Sequence, residues 1–363
     1  MALTRERADA RVPPAARAPL RALVVWIPWL PVAVATLAFA AGLSIPPTWR
    51  YVPLVVSVAA FGLPHGAVDW AALPRAAAGS AGDAVDLRTP WRRTRRARLA
   101  RRWLAVVGVV YLVAGGAYAV AWFRAPLAAA AAFLALTWFH WGQGEIYPLR
   151  EVLNADHFDA RWRRGLTLAV RGALPMGVPL LAFPERYRTV LESFVAPFGG
   201  SVPAWPFTAD ARLALGAALA ALTVATLAAG YRAADHRRGW AVDAGETGLL
   251  WAYFFVVPPV FAVGLYFCCW HAPRHVARTL ALDERAVAAL EAGRLAPALG
   301  RFAREAALPT LVALVGCAGL WWAAPAPEPT LAGATGVYLV AIAVLTLPHV
   351  VVVTWLDRIA GYW

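Results

Sequence analysis

Long apolar stretches, each bounded by arginine, proline, glycine or aspartate, recur along the whole chain. Crossing the roughly 30 Å hydrocarbon core of a bilayer takes about 20 helical residues, and several stretches reach that length. The stretch containing Arg171 and Pro175 and the one ending at Pro258 and Pro259 give weaker signals. The pattern therefore predicts about eight to ten transmembrane helices. The candidate spans are 22–45, 51–73, 103–123, 126–145, 165–183, 211–231, 240–257, 259–281, 305–325 and 334–356.

Composition supports a chain that is embedded in lipid. Hydrophobic residues make up 61% of the sequence and charged residues 15%, whereas soluble domains average about 45–50% and about 25%. Because many further apolar stretches follow the first one, we expect the first to be a span and not a signal peptide. The predicted fold is an all-α, polytopic transmembrane helix bundle, with residues 1–363 forming a single integral membrane domain.

Charge placement predicts the orientation in the membrane. The net charge is +13, and the basic residues lie between apolar stretches, which indicates loops facing anionic lipid and not a nucleic-acid partner. With both termini in the cytoplasm of a multi-pass plasma-membrane protein, most arginines fall on the cytoplasmic side. They include a basic loop at about 75–102 and an amphipathic segment at about 284–304, expected on the membrane surface. The chain contains no lysine, which excludes a rhodopsin that binds retinal as a Schiff base.

The histidines divide into two groups. His157 and His236 lie in polar segments, and we expect both to be solvated. The other five lie inside apolar spans, where an ionisable side chain is costly and needs a partner. Each lies about 12–16 residues from the outer end of its span, or roughly 18–24 Å deep, so the five are expected to form one layer. They are His65, His140, His271, His275 and His349.

Spacing and chemistry together predict a metal site at this layer. His271 and His275 are four residues apart and share one helix face, so both can bind one ion. Neutral imidazoles suit iron, zinc or copper. Asp69 and Glu145 are candidate acceptors for the second ring nitrogen of ligating histidines. Arg274 is expected to neutralise a carboxylate or to extend to the membrane interface.

Aromatic residues crowd the same spans. Trp138, Tyr266 and Trp270 flank the histidines, and we predict that they line a pocket for a long apolar substrate. Packing inside the bundle and aromatic belts at the membrane interfaces are the alternative explanation.

Four motifs around the histidines resemble the Brp/Blh family, the membrane β-carotene 15,15′-dioxygenases found beside microbial rhodopsins. The motifs are GLPHGAVD at 62–69, FHWG at 139–142, WHAPRH at 270–275 and LPH at 347–349. The resemblance implies cleavage of the central double bond of β-carotene by O₂ into two molecules of retinal, with hand-over of retinal to a microbial rhodopsin. It implies a non-haem Fe(II) ion held by His65, His140, His271 and His275. The role of His349, as a ligand, a partner of a ligand or part of the pocket wall, stays open.

Three other classes of membrane protein are alternatives to a β-carotene dioxygenase. A membrane cytochrome would bind haem through histidine pairs, but the only pair on one span is a single turn apart. Another membrane non-haem iron oxygenase would act on a different apolar substrate, and di-iron desaturases usually need more histidines than five. A transporter or metal permease would stagger its histidines across the membrane and not place them in one layer.

Overall fold

The computed structural model describes residues 12–59, 62–81, 87 and 93–362, and every regular element within them is helical. We number the helices α1 to α12 in chain order. Helix α2 is described in three pieces, Val52–Ala59, Gly62–Ala67 and Asp69–Ala81. Helix α9 covers 259–280 and includes a π-helical stretch, Tyr266–His271. The others are α1 Pro14–Ala40, α3 Arg95–Arg124, α4 Pro126–Tyr147, α5 Arg161–Ala182, α6 Pro184–Val195, α7 Ala209–Ala233, α8 Arg237–Val256, α10 Glu284–Glu291, α11 Leu295–Ala323 and α12 Leu331–Ile359.

Each of the ten candidate spans coincides with a helix. Within the described residues, seven helices are long and apolar enough to cross a membrane: α1, α2, α3, α5, α7, α11 and α12. This number is lower than the eight to ten expected, because α4, α8 and α9 carry many polar residues. Those residues include His140, Glu145, Glu246, His271 and Arg274, and all of them are buried. Each of these three helices therefore contributes several polar groups to the interior.

Two segments expected as loop or surface are more regular than predicted. In the basic segment at about 75–102, α2 reaches Ala81 and α3 begins at Arg95, where Thr94 accepts a hydrogen bond from the Ala97 amide. The segment at about 284–304 forms α10 and the first turns of α11. Asp283 begins α10 by accepting hydrogen bonds from two backbone amides. The position of this segment on the membrane surface stays a prediction.

Helices α4 and α5 pack with their backbones in close contact. A Cβ added to Gly142 would lie 2.0 Å from the carbonyl oxygen of Leu168, and one added to Gly172 would lie 1.9 Å from that of Trp138. Only glycine fits at either position, as is common where membrane helices approach closely. This contact holds the part of α4 that carries His140.

One buried carboxylate connects three helices near the middle of the bundle. Asp357 on α12 pairs with Arg278 on α9 and accepts a hydrogen bond of 2.6 Å from Gln143 on α4. Arg75 on α2 donates two hydrogen bonds, of 2.9 and 2.7 Å, to Glu305 on α11, and this pair is partly buried. Ionic contacts such as these join neighbouring helices.

Candidate metal centre

The five histidines predicted to share one layer converge inside the bundle. Helix α2 supplies His65, α4 supplies His140, α9 supplies His271 and His275, and α12 supplies His349. All five are buried, and their ring centroids lie between 4.6 and 6.3 Å apart in the contacting pairs. Four helices therefore bring their histidines together, and the depth of this cluster in a membrane stays a prediction.

The ring nitrogens face one another at a spacing that suits a metal ion. Nε2 of His140 lies 3.2 Å from Nε2 of His271 and 3.2 Å from Nε2 of His349. Metal–imidazole bonds are about 2.0–2.1 Å long, so two nitrogens on one ion lie roughly 2.9–3.4 Å apart. The donor set therefore fits a transition-metal ion. Two groups of three donors lie within 4.8 Å of one another: His65, His140 and His349, and Asp69, His275 and His349.

Hydrogen bonds orient two of these rings. Nδ1 of His65 contacts the carbonyl oxygen of Gly62, and Nδ1 of His349 lies 2.8 Å from Oδ2 of Asp69. Such contacts set the tautomer and direct Nε2 towards an ion. Asp69 also accepts a hydrogen bond of 2.7 Å from the Tyr111 hydroxyl. The histidine that Asp69 contacts is therefore on α12, and Tyr111 joins the site although no spacing pattern in the sequence marked it.

Helix α9 presents its two histidines through an irregular turn. The π-helical stretch Tyr266–His271 ends at the first of them, and such wide turns are frequent at functional sites. The rings of His271 and His275 lie 6.2 Å apart with an interplanar angle of 26°. Both rings therefore point in nearly the same direction from one helix face, as the four-residue spacing predicted.

A cavity of about 1130 Å³ adjoins the histidines. His65, His140 and His349 form part of its wall, and the rest of the wall is almost wholly apolar. Ligand pockets usually measure about 300–1,000 Å³, so this cavity has room for a large apolar molecule. The few polar side chains on the wall are these histidines together with threonines and tyrosines such as Thr137 and Tyr111.

The aromatic residues on the cavity wall are not the three predicted. The wall formed by the described residues contains none of Trp138, Tyr266 and Trp270. The Trp138 indole donates a hydrogen bond to the carbonyl oxygen of Ala169, and the other two are fully buried in the core. Successive helical residues point to different faces, so nearness to a histidine in sequence did not mean nearness to the cavity. Aromatic side chains on the wall are Trp70, Tyr111, Phe133, Trp141, Tyr187, Phe194 and Phe267.

Glu145 and Arg274 belong to a buried ionic cluster beside the histidines. Nη1 of Arg274 donates hydrogen bonds of 2.7 Å to Glu145 and 3.1 Å to Glu246. The Trp270 indole donates a further bond of 3.0 Å to Glu145. Arg274 therefore neutralises carboxylates, which was one of its two predicted roles. In the described part of the chain Glu145 has no histidine partner, so its predicted role as a histidine acceptor is wrong.

The ionic cluster extends to residues that the sequence patterns missed. Nη2 of Arg171 donates hydrogen bonds of 2.9 Å to Asp243 and 3.0 Å to Glu246. Asp243 also lies 3.1 Å from Nε2 of His157, which is 1% exposed, so the expectation that His157 is solvated is wrong. His236 is exposed, as expected. The sequence did contain a signal for this cluster. Arg171 lies in one candidate span and Asp243 and Glu246 lie in another, and charges at membrane depth need partners.

Comparisons with known proteins agree with the motifs. The family model described as Beta-carotene 15,15'-dioxygenase matches residues 56–357. Probable beta-carotene 15,15'-dioxygenase Blh of Halobacterium salinarum is 54% identical and covers 92% of each chain. Probable beta-carotene 15,15'-dioxygenase Brp of the same species is 36% identical over 70% of this chain and 75% of its own length. No solved structure matches the chain. The family match includes all five clustered histidines, and this chain belongs to the β-carotene 15,15′-dioxygenase family.

Proposed function

We propose that this protein cleaves the central double bond of β-carotene with O₂ and releases two molecules of retinal. The observation that carries the proposal is the histidine cluster that opens onto one large apolar cavity. The relatives that match most of the chain carry the name of this activity. A substrate that dissolves in lipid and not in water fits both the cavity and a protein built from apolar helices.

We assign non-haem Fe(II) to the site, with the ligands His65, His140, His271 and His275. Neutral imidazoles bring no negative charge into the low-dielectric interior, where a thiolate or carboxylate ligand would have to be desolvated. Iron(II) bound there would supply open coordination positions and electrons for the activation of O₂. Because His65 and His140 lie on the cavity wall, the protein would hold those positions towards the substrate.

The chain's own residues would bind and align the polyene. Trp70, Trp141 and Phe267 contribute aromatic surface to the wall, and the apolar lining would exclude water from the double bond. One C=C bond is replaced by two C=O bonds, and both oxygen atoms of O₂ enter the products. The overall reaction neither consumes nor releases a proton, so no side chain has to act as a general acid or base.

The geometry weighs against the other classes of membrane protein. Five imidazoles surround one small volume, with centroids 4.6 Å apart for His140 and His349 and 4.8 Å for His140 and His271. Five imidazoles crowded into one cluster differ from the two opposed imidazoles that hold a haem, which disfavours a cytochrome. The single layer of histidines also differs from the staggered path that a metal permease would need.

The membrane and the receiver of the product belong to the same proposal. We assign the protein to the plasma membrane with both ends of the chain in the cytoplasm, because the arginines then lie mostly on the cytoplasmic side. Membrane lipid would be the route by which β-carotene arrives and retinal leaves. A microbial rhodopsin is the proposed receiver of retinal, since it needs that product as its chromophore.

Expression in bacteria that accumulate β-carotene tests the proposal. Cells with the wild-type protein should lose their orange colour, and retinal should appear in the extract. His271→Ala should leave the cells orange because an iron ligand is gone, whereas His236→Ala, which changes an exposed histidine, should behave as the wild type. Intact β-carotene in iron-replete cells that contain the protein would refute the substrate. Aldehydes of unequal length would refute cleavage at the central bond.

A further inference from the structure

His349 occupies the middle of the histidine cluster. It is the one histidine shared by both groups of three donors found in the described residues. Its Nε2 lies 3.2 Å from Nε2 of His140, the same distance that separates His140 from His271. Its ring centroid also lies 5.1 Å from that of His65 and 5.1 Å from that of His275. By distance, His349 is as well placed to bind an ion as the four histidines named as ligands.

The other side of the His349 ring is held as a metal ligand usually is. Nδ1 lies 2.8 Å from Oδ2 of Asp69, which is buried and also accepts a hydrogen bond of 2.7 Å from the Tyr111 hydroxyl. A carboxylate on one ring nitrogen leaves the other free to bind a metal and raises its basicity. Gly66 adds to this fit, because a Cβ there would lie 3.3 Å from Nδ1 of His349.

We propose that His349 is a fifth iron ligand and that Asp69, held by Tyr111, is the residue that positions it. The inference rests on the iron site of the proposed function. With five imidazoles on an octahedral ion, one position is left open. Since His349 is part of the cavity wall, it would limit O₂ to one position and would stand beside the reacting double bond.

A buried histidine paired with an aspartate is not by itself a metal ligand. The chain contains a second buried pair of this kind with which the His349–Asp69 pair can be compared. Nε2 of His157 lies 3.1 Å from Oδ2 of Asp243, and both residues are buried. Among the described residues, this pair contacts Phe158, Gly230 and Arg171. A buried histidine–aspartate pair therefore also occurs away from the histidine cluster, which provides a matched control.

Metal binding to the purified, full-length protein tests the proposal without relying on catalysis. After removal of iron, Co²⁺ serves as the probe because its visible absorption reports coordination number and its titration reports affinity. We expect Asp69→Asn to weaken Co²⁺ binding about 10–100-fold, the usual effect of losing a carboxylate that orients a ligand. His349→Ala should weaken binding further and change the spectrum to that of an ion with fewer ligands. Imidazole added to His349→Ala should restore the wild-type spectrum, because the cavity gives it access.

The control is His157→Gln, which should retain the wild-type affinity and spectrum. An unchanged Co²⁺ spectrum and affinity in both His349→Ala and Asp69→Asn would overturn the proposal. If His349→Ala does not fold, as judged by circular dichroism, Asp69→Asn decides, because asparagine matches aspartate in shape. A wild-type protein that binds neither iron nor Co²⁺ would instead refute the iron site of the proposed function. The two failures are therefore distinguishable.

Discussion

Oδ2 of Asp69 lies 2.8 Å from Nδ1 of His349, although 280 positions separate the two residues in the chain. The contact joins α2 to α12, the first and last of the helices that carry the clustered histidines. It brings the two ends of the family match to one point. The histidine cluster therefore depends on long-range packing as well as on the motifs around each histidine.

Loss of a clustered histidine should remove iron as well as cleavage. We expect His275→Ala to reduce the iron content of the purified protein and to abolish retinal formation, since one ring of the cluster is lost. Elemental analysis and extraction of retinal measure the two effects separately. Full iron occupancy in His275→Ala would show that His275 is not a ligand.

Loss of Arg274 from the buried ionic cluster should destabilise the protein strongly. Arg274→Leu leaves only Arg171 to pair with Glu145 and Glu246, and breaking a buried pair on one side costs about 3–5 kcal/mol. Thermal unfolding in detergent measures the change. Arg188→Ala breaks an exposed pair with Glu192 and should have little effect, since such pairs contribute about 0–1 kcal/mol. Equal effects of the two changes would contradict the buried cluster.

A methyl group at the contact between α4 and α5 should prevent correct packing. Gly142→Ala places Cβ 2.0 Å from the Leu168 carbonyl oxygen, which is backbone and cannot move aside alone. We expect a sharp loss of folded protein in membranes, measured by size-exclusion chromatography after extraction. Gly165→Ala on α5 is the control, because its Cβ would meet no described atom within 4 Å. Similar yields of the two variants would contradict the close helix contact.

Filling the cavity away from the histidines should separate substrate binding from iron binding. Gly316 on α11 is part of the wall, and a Cβ there would meet no described atom within 4 Å. Gly316→Leu should therefore project into the cavity and slow β-carotene cleavage at least tenfold, while the iron content stays at the wild-type level. Gly300→Leu, on the same helix but off the wall, should cleave normally. Normal cleavage by Gly316→Leu would exclude this side of the cavity as a substrate path.

The convergence of the histidines could be predicted from sequence because each lies at a similar distance from the end of its span. Which way each side chain points could not, since it depends on how a helix is rotated against its neighbours. Asp69 therefore contacts His349 on another helix, and Trp270 packs on Glu145 and is not among the described residues of the cavity wall. The rotation of α4 follows from its contact with α5 at Gly142, a tertiary feature that periodicity does not show.

The partners of the buried charges also could not be predicted from single spans. Arg171 made its span a weaker prediction, because a charge lowers hydropathy whether or not it has a partner. In the structure Asp243 and Glu246 neutralise it. The partner lies on another helix, so counting within one span could not reveal it. Pairing the acids of one span with the arginines of another would have predicted the cluster.

The spread of the clustered histidines along the chain has a consequence for biosynthesis. The first of them is residue 65 and the last is residue 349, on the final helix of the described chain. During translation α2, α4 and α9 would enter the membrane before α12 exists, and the growing polypeptide would hold an incomplete set of donors. If His349 is a fifth ligand, as proposed above, iron would reach its full binding strength only once synthesis has reached the last helix.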